Sequence, residues 1–260
     1  MSNPRIAAAF AKGKAFIPFV TCGDPTLETT KEIVHALSDA GASIIELGIP
    51  FSDPTAEGPV IQGANLRALS GGVDTDKIFA MAKELSAEID TPLVFMTYGN
   101  VVYHYGIERF AKNAADAGIC GLILPDVPYE EKEEFAPILA SEGIDLISMV
   151  APTSEDRIAM IAAEAQGFIY LVSSLGVTGT RSEITTDLGS IIEKIREVTD
   201  TPVAIGFGIS NPEQAGKMAG LADGAIVGSA IVRIVEEHGE KAAPEVGAFA
   251  KSLVEAVRKA

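Results

Sequence analysis

Eight short apolar runs, each with β-branched residues, punctuate the chain: AFIPFV (15–20), SIIELGI (43–49), PLVFMTY (92–98), ICGLILP (119–125), IDLISMV (144–150), GFIYLVS (167–173), PVAIGFG (202–208) and DGAIVGS (223–229). They are apolar almost continuously rather than at every second position. A sheet with one wet face would alternate, so the runs predict parallel strands covered on both sides. Between them lie stretches with apolar residues at threes and fours, such as LETTKEIVHALSDAG, GIERFAKNAADAG, YEEKEEFAPILASEG and LGSIIEKIREVT. Several close on glycine, as helix C-termini commonly do. Eight strand-then-helix units in about 250 residues match a (β/α)8 TIM barrel, with a doubly wound sheet as the alternative. With no Pro/Ser-rich linker or composition break, the expectation is one domain over residues 1–260, with an extra N-terminal helix near 3–12 and a closing helix near 244–258.

Composition narrows the chemistry. The 260 residues carry 20 Lys+Arg against 36 Asp+Glu, a net charge of -16. That field repels polyanions and gives nucleic acid no footprint, although backbone amides can still bind a small anion. No run approaches the ~20 apolar residues of a membrane span. The opening MSNPRIAAAFAKGK lacks the cationic end, apolar core and cleavage site of a secretory signal, so a cytoplasmic protein without a membrane partner is expected. Cys22 and Cys120 lie in apolar segments without metal or CxxC spacing and read as buried, reduced thiols.

In a TIM barrel the chemistry gathers where the strands end. That rule selects Phe19 and Thr21, Glu46 with its following loop, Met96, Tyr98 and Asn100, Asp126, Tyr170, the GFG of 206–208 and the GSA of 228–230. None of the strand runs contains a lysine for Schiff-base chemistry. His35, His104 and His238 are too scattered for a histidine metal site, whereas a magnesium site built from Glu46, Asp53 and Asp126 stays open.

The other reading is metal-free acid/base catalysis. Glu46 interrupts SIIELGI between Ile45 and Leu47, so its side chain enters either the barrel or the helix layer, and both are dry. Burial raises a carboxyl pKa toward the range where it can give and take a proton. A core glutamate satisfied by a partner is the competing account. Glu57 fits either a catalyst or an ordinary loop acid, and Asp53 fits an Asx turn in FSDP. IGFGISNPEQ and IVGSAIVRI finish strands 7 and 8 in glycine-rich turns, the second leading into a short helix whose N-terminus suits a phosphate. SSLGVTGTRSEITTD (173–187) has the length and polarity of a lid. Phe19, Met96, Tyr98, Leu124, Tyr170 and Phe207 each fit ordinary core packing when taken singly; in combination they fit a wall between phosphate amides and acids, which suits a substrate with a phosphate at one end and a flat apolar group at the other.

ELGIPFSDPTAEGPVIQ (46–62), PFVTCGDP (18–25), LPDVP (124–128), GVTG (176–179), GFGIS (206–210) and VGSAIV (227–232) together resemble the tryptophan synthase α subunit family, in its order and over essentially the whole chain. The resemblance implies a phosphate-binding barrel that reversibly cleaves indole-3-glycerol phosphate to indole and D-glyceraldehyde 3-phosphate. It implies no cofactor in this chain, and a separate β subunit carrying pyridoxal phosphate in an α2β2 heterotetramer that receives the indole. By resemblance, Glu46 protonates the indole carbon being cleaved and takes the glycerol hydroxyl proton, while Glu57 takes up the indole N–H. Tyr170 lies beside Glu46. The same resemblance places Gly179, Phe207, Gly208, Gly228 and Ser229 around the phosphate, and Phe19, Met96, Tyr98 and Phe207 around the indole. The resemblance also implies that Thr178 closes toward the loop bearing Glu57 and that Asp53 and Pro54 face the β subunit. One departure stands out: the family's usual residue at position 57 is aspartate. Two alternatives accompany this reading, a free-standing lyase and a weakly active regulatory subunit of a β partner. The segment NVVYHYG (100–106), as a docking edge, favours a partnered chain.

Overall fold

The computed structural model describes residues 2–152, 155–173, 187–206 and 208–260. Eight strands, β1 (Ala15–Thr21), β2 (Ile45–Gly48), β3 (Leu93–Met96), β4 (Ile119–Ile123), β5 (Asp145–Val150), β6 (Gln166–Val172), β7 (Val203–Gly206) and β8 (Gly224–Val227), close into one barrel in chain order. Every neighbouring pair is parallel. This is the TIM barrel that the apolar runs predict, and the doubly wound alternative falls because β1 pairs with β8.

The continuous apolarity of the runs has a two-sided cause. Successive side chains of a strand point to opposite faces. Ile45 and Leu47 pack outward against the helix layer, while Ile44, Val94 and Ile226 fill the barrel interior. The helices start and stop where local chemistry dictates. Thr26 accepts a bond from Thr29 N to open Leu27–Ala40, and Gly41, at φ 97°, closes it in the left-handed conformation. Asp74 and Asn211 cap Thr75–Glu88 and Pro212–Leu221 in the same way. The closing helix, Ala243–Arg258, lies against Leu27–Ala40 and Pro212–Leu221.

The extra N-terminal helix, Pro4–Phe10, seals the N-terminal end of the barrel. Ile6 and Ala9 join the interior cluster with Ile17, Ile44 and Phe168, and the rings of Phe10 and Phe168 stand 5.7 Å apart. Asn3 fastens this plug: its backbone N–H donates to Asp145 Oδ2 at 2.8 Å and its side-chain amide donates to Gly143 O at 2.8 Å. Cys22 and Cys120 are free and buried, as expected. No described helix is long and apolar enough to cross a membrane.

The stretch 129–143 departs from the single helix its pattern suggests. It divides into a 3-10 turn, Tyr129–Glu134, and a short helix, Ala136–Ser141. Pro137 is the reason: it has no N–H to continue the ladder, and its ring would strike the carbonyl four residues back. In this way Pro137 opens a helix instead of extending one.

Candidate active site

Alternation along β2 carries Glu46 into the barrel, where it stands in register with Phe19 on β1 and Val94 on β3. It is 0% exposed, and neither carboxyl oxygen meets a hydrogen-bond partner among the described residues. Burial pushes its pKa well above the ordinary glutamate value, so the proton-carrying form is favoured. Tyr170, on β6, lines the same pocket. Its hydroxyl is pushed up first by burial and then by the charge of Glu46.

Glu57 approaches from the loop after β2. Its Oε2 accepts a 2.6 Å bond from Asn65 Nδ2, and the Tyr98 hydroxyl is a second partner. Burial raises its carboxyl to about 7, the Asn65 bond and then the Tyr98 bond pulling the other way. Tyr98 also accepts from Ala56 N at 3.1 Å, so it holds the loop as well as the acid. Burial is the largest of the effects that push the Tyr98 hydroxyl up to about 12.

The opposite side of the pocket is built from backbone. Gly208 adopts φ 83°, a conformation that glycine enters without steric cost. Gly228 precedes the helix Ser229–His238, and Gly228 and Ser229 both line the pocket. A helix N-terminus presents unpaired N–H groups and the positive end of the helix dipole, which together form an anion site. Phe19, Met96 and Met149 supply apolar surface between this end and the acids. Two further glycines make room for the aromatic rings: a Cβ on Gly48 would stand 2.5 Å from the Phe19 ring, and one on Gly206 would stand 2.5 Å from the Tyr170 hydroxyl.

The pocket therefore brings together Glu46, Glu57, Phe19, Met96, Tyr170, Gly208, Gly228 and Ser229, with Tyr98 joined through Glu57. Thr178, Gly179 and Phe207 lie outside the described residues, as does nearly all of the segment read as a lid. Leu124 differs from expectation, because it packs outward in the core between barrel and helices. Asp53 is exposed, and its carboxylate accepts from the Ser52 hydroxyl at 2.5 Å; among the described residues it caps no backbone amide as an Asx turn would. Pro54 is half-buried beside it. Asp126 spends both oxygens on Gly99 N, at 2.9 and 3.1 Å. Glu46, Asp53 and Asp126 do not converge, and among the described residues no cluster of acids, histidines or cysteines could hold a metal ion.

Sequence reasoning passed over Met149 and Asn65. Met149 follows Ile147 on the inward face of β5, a period-2 signal that the apolar run conceals. Asn65 is the polar member of the buried face Ile61, Ala64, Asn65, Ala68 of helix Pro59–Ser70, a visible anomaly in the helical pattern.

A family model described as tryptophan synthase alpha chain matches residues 7–259. The chain belongs to the tryptophan synthase α chain family. A tryptophan synthase alpha chain from Lacticaseibacillus casei is 47% identical over 257 residues, 99% of this chain and 97% of that protein. The crystal structure of tryptophan synthase subunit alpha from Legionella pneumophila superposes with a TM-score of 0.90 at 34% identity, covering 98% of this chain and 99% of that one. A chain from the tryptophan synthase α2β2 complex of Pyrococcus furiosus superposes with a TM-score of 0.85 at 34% identity, covering 94% and 99%. The tryptophan synthase α fold thus extends over essentially the whole chain.

Proposed function

We propose that the chain catalyses the tryptophan synthase α reaction, the reversible cleavage of indole-3-glycerol phosphate to indole and D-glyceraldehyde 3-phosphate, as one barrel domain in the cytoplasm. The observation that carries this reading is Glu46, a fully buried acid without a partner among the described residues, in the same pocket as a second acid and a helix N-terminus. The phosphate is assigned to the amides of Gly208, Gly228 and Ser229, joined from the sequence by Gly179 and Phe207. The indole lies against Phe19 and Met96.

Glu46 begins protonated and gives its proton to the indole carbon that bears the glycerol chain. Glu57, ionised, takes the ring N–H, so the ring becomes a neutral imine-like tautomer. Glu46, now a carboxylate, takes the proton of the adjacent glycerol hydroxyl. The oxygen electrons form the aldehyde, the carbon–carbon bond breaks, and its electrons return to the ring, which regains its N–H from Glu57. Both acids finish as they started. A buried carboxyl with a raised pKa suits this double duty, since it is a usable acid and, once ionised, a strong base. Tyr170 packs beside Glu46 and fixes its surroundings. Thr178 is assigned to the loop that closes over Glu57, and Asp53 and Pro54 to the face that meets the β subunit of an α2β2 assembly. Pyridoxal phosphate belongs to that β subunit and takes no part in the steps above.

The test is indole release from indole-3-glycerol phosphate by the purified chain, alone and with a β subunit, with chelator present. Slow release that rises strongly on adding the partner is the expected result. Fast release without partner would point to a free-standing lyase. No release in either case, with the partner's serine chemistry still stimulated, would point to a regulatory subunit.

A further inference from the structure

Position 57 holds glutamate, where the resemblance implies aspartate as the family's usual residue, so the carboxylate stands about one methylene farther from the backbone than an aspartate would place it. A displacement of about 1 Å in a catalytic group can cost about 100-fold in rate, so something must fix the longer arm. Helix Pro59–Ser70 supplies two contacts to this residue. Gln62 Nε2 donates to Glu57 O at 2.7 Å, and Asn65 Nδ2 donates to Glu57 Oε2 at 2.6 Å. The first pins the backbone and the second pins the acid. Asn65 is 4% exposed, and the other buried residues of its helix face, Ile61, Ala64 and Ala68, are apolar. A buried amide is costly unless it is bonded. A carboxylate only accepts, so the NH2 end of Asn65 must face it.

We propose that Asn65 is a positioning residue that holds the longer side chain of Glu57 where its carboxylate can receive the indole N–H. The inference rests on the assignment of Glu57 as that acceptor. A hydrogen bond to the charged form also favours ionisation, and the Asn65 bond opposes the burial that raises the Glu57 carboxyl to about 7. The other titratable groups around Glu57 among the described residues are Tyr98, Asp126 beyond it, and Glu46 across the pocket.

Two experiments test it. Asn65→Leu removes the donor at nearly constant volume. It should lower kcat about 10- to 100-fold, the span expected for losing a hydrogen bond to a charged group. KM should change little, and the acid limb of the kcat profile should move to higher pH. The Glu57 carboxyl carbon, identified by NMR from the signal lost in Glu57→Gln, should titrate higher in the variant. The second experiment exchanges reach: Glu57→Asp alone should lose activity, and Glu57→Asp with Asn65→Gln should recover part of it, because the donor lengthens as the acceptor shortens. Full activity in Glu57→Asp, or an unmoved Glu57 titration in Asn65→Leu, would overturn the proposal. Wild-type activity in Glu57→Gln would instead remove the assignment of Glu57, and the NMR titration would still report whether Asn65 holds the carboxylate.

Discussion

Two carboxylates are buried at opposite levels of the barrel, Asp145 at the start of β5 and Glu46 within β2, with exposures of 3% and 0%. Burial raises both. Asp145 is answered by the Asn3 amide at 2.8 Å, which lowers it in turn, and it thereby ties the N-terminal plug to the barrel. Glu46 meets no such donor among the described residues and faces the pocket. The physics of desolvation is the same at both ends, and the partner decides whether a buried acid holds the fold together or stays available for proton transfer.

The comparison is broken most sharply by removing each acid. Glu46→Gln should lower kcat about 10²- to 10⁴-fold, the usual worth of a general acid/base, with the melting temperature unchanged or higher. Asp145→Ala should do the reverse: kcat nearly intact, and stability lower by about 1–3 kcal/mol in urea unfolding because Asn3 N–H loses its acceptor. An equal loss of activity in both variants would dissolve the distinction.

Gly206→Ala offers a smaller effect. The new methyl forces the Tyr170 ring away from β7. A shift of about 1 Å beside Glu46 should lower kcat about 100-fold. Overpacking should add a stability loss of about 1–3 kcal/mol, and calorimetry with steady-state kinetics measures both.

The smallest effect is a pH dependence of stability. The Glu57 carboxyl moves from 4.5 to about 7 on folding, so between these values the folded state binds more protons than the unfolded one. Its contribution is fully present below 4.5 and is lost as the pH rises through about 7. Urea midpoints should therefore fall across that window in the wild type, and fall less in Glu57→Gln.

The barrel was legible because eight apolar runs without alternation leave no strand face for water, and parallel strands under a helix layer bury both. Glu46 was legible because an acid inside such a run must be buried. The same continuity hid direction. In ICGLILP every position is apolar, so nothing in the pattern told Leu124, which packs outward, from a residue of the pocket wall. Pro137 was visible in the 129–143 stretch and should have divided it. The partner of Glu57 was harder to see, since it depends on a helix folding back over its own leading loop, a tertiary fact. Asn65, polar in a buried stripe, was the available clue.

The two acids also differ in what they stand on. Glu46 belongs to a strand wedged between β1 and β3, where an added or lost methylene has no backbone slack to absorb it. Glu57 belongs to a loop, and its contacts are side chains that can be exchanged in company. Reach is thus set differently within one pocket: the strand fixes how far its acid extends, while the loop acid shares that setting with the side chain of Asn65, so the two can be changed together.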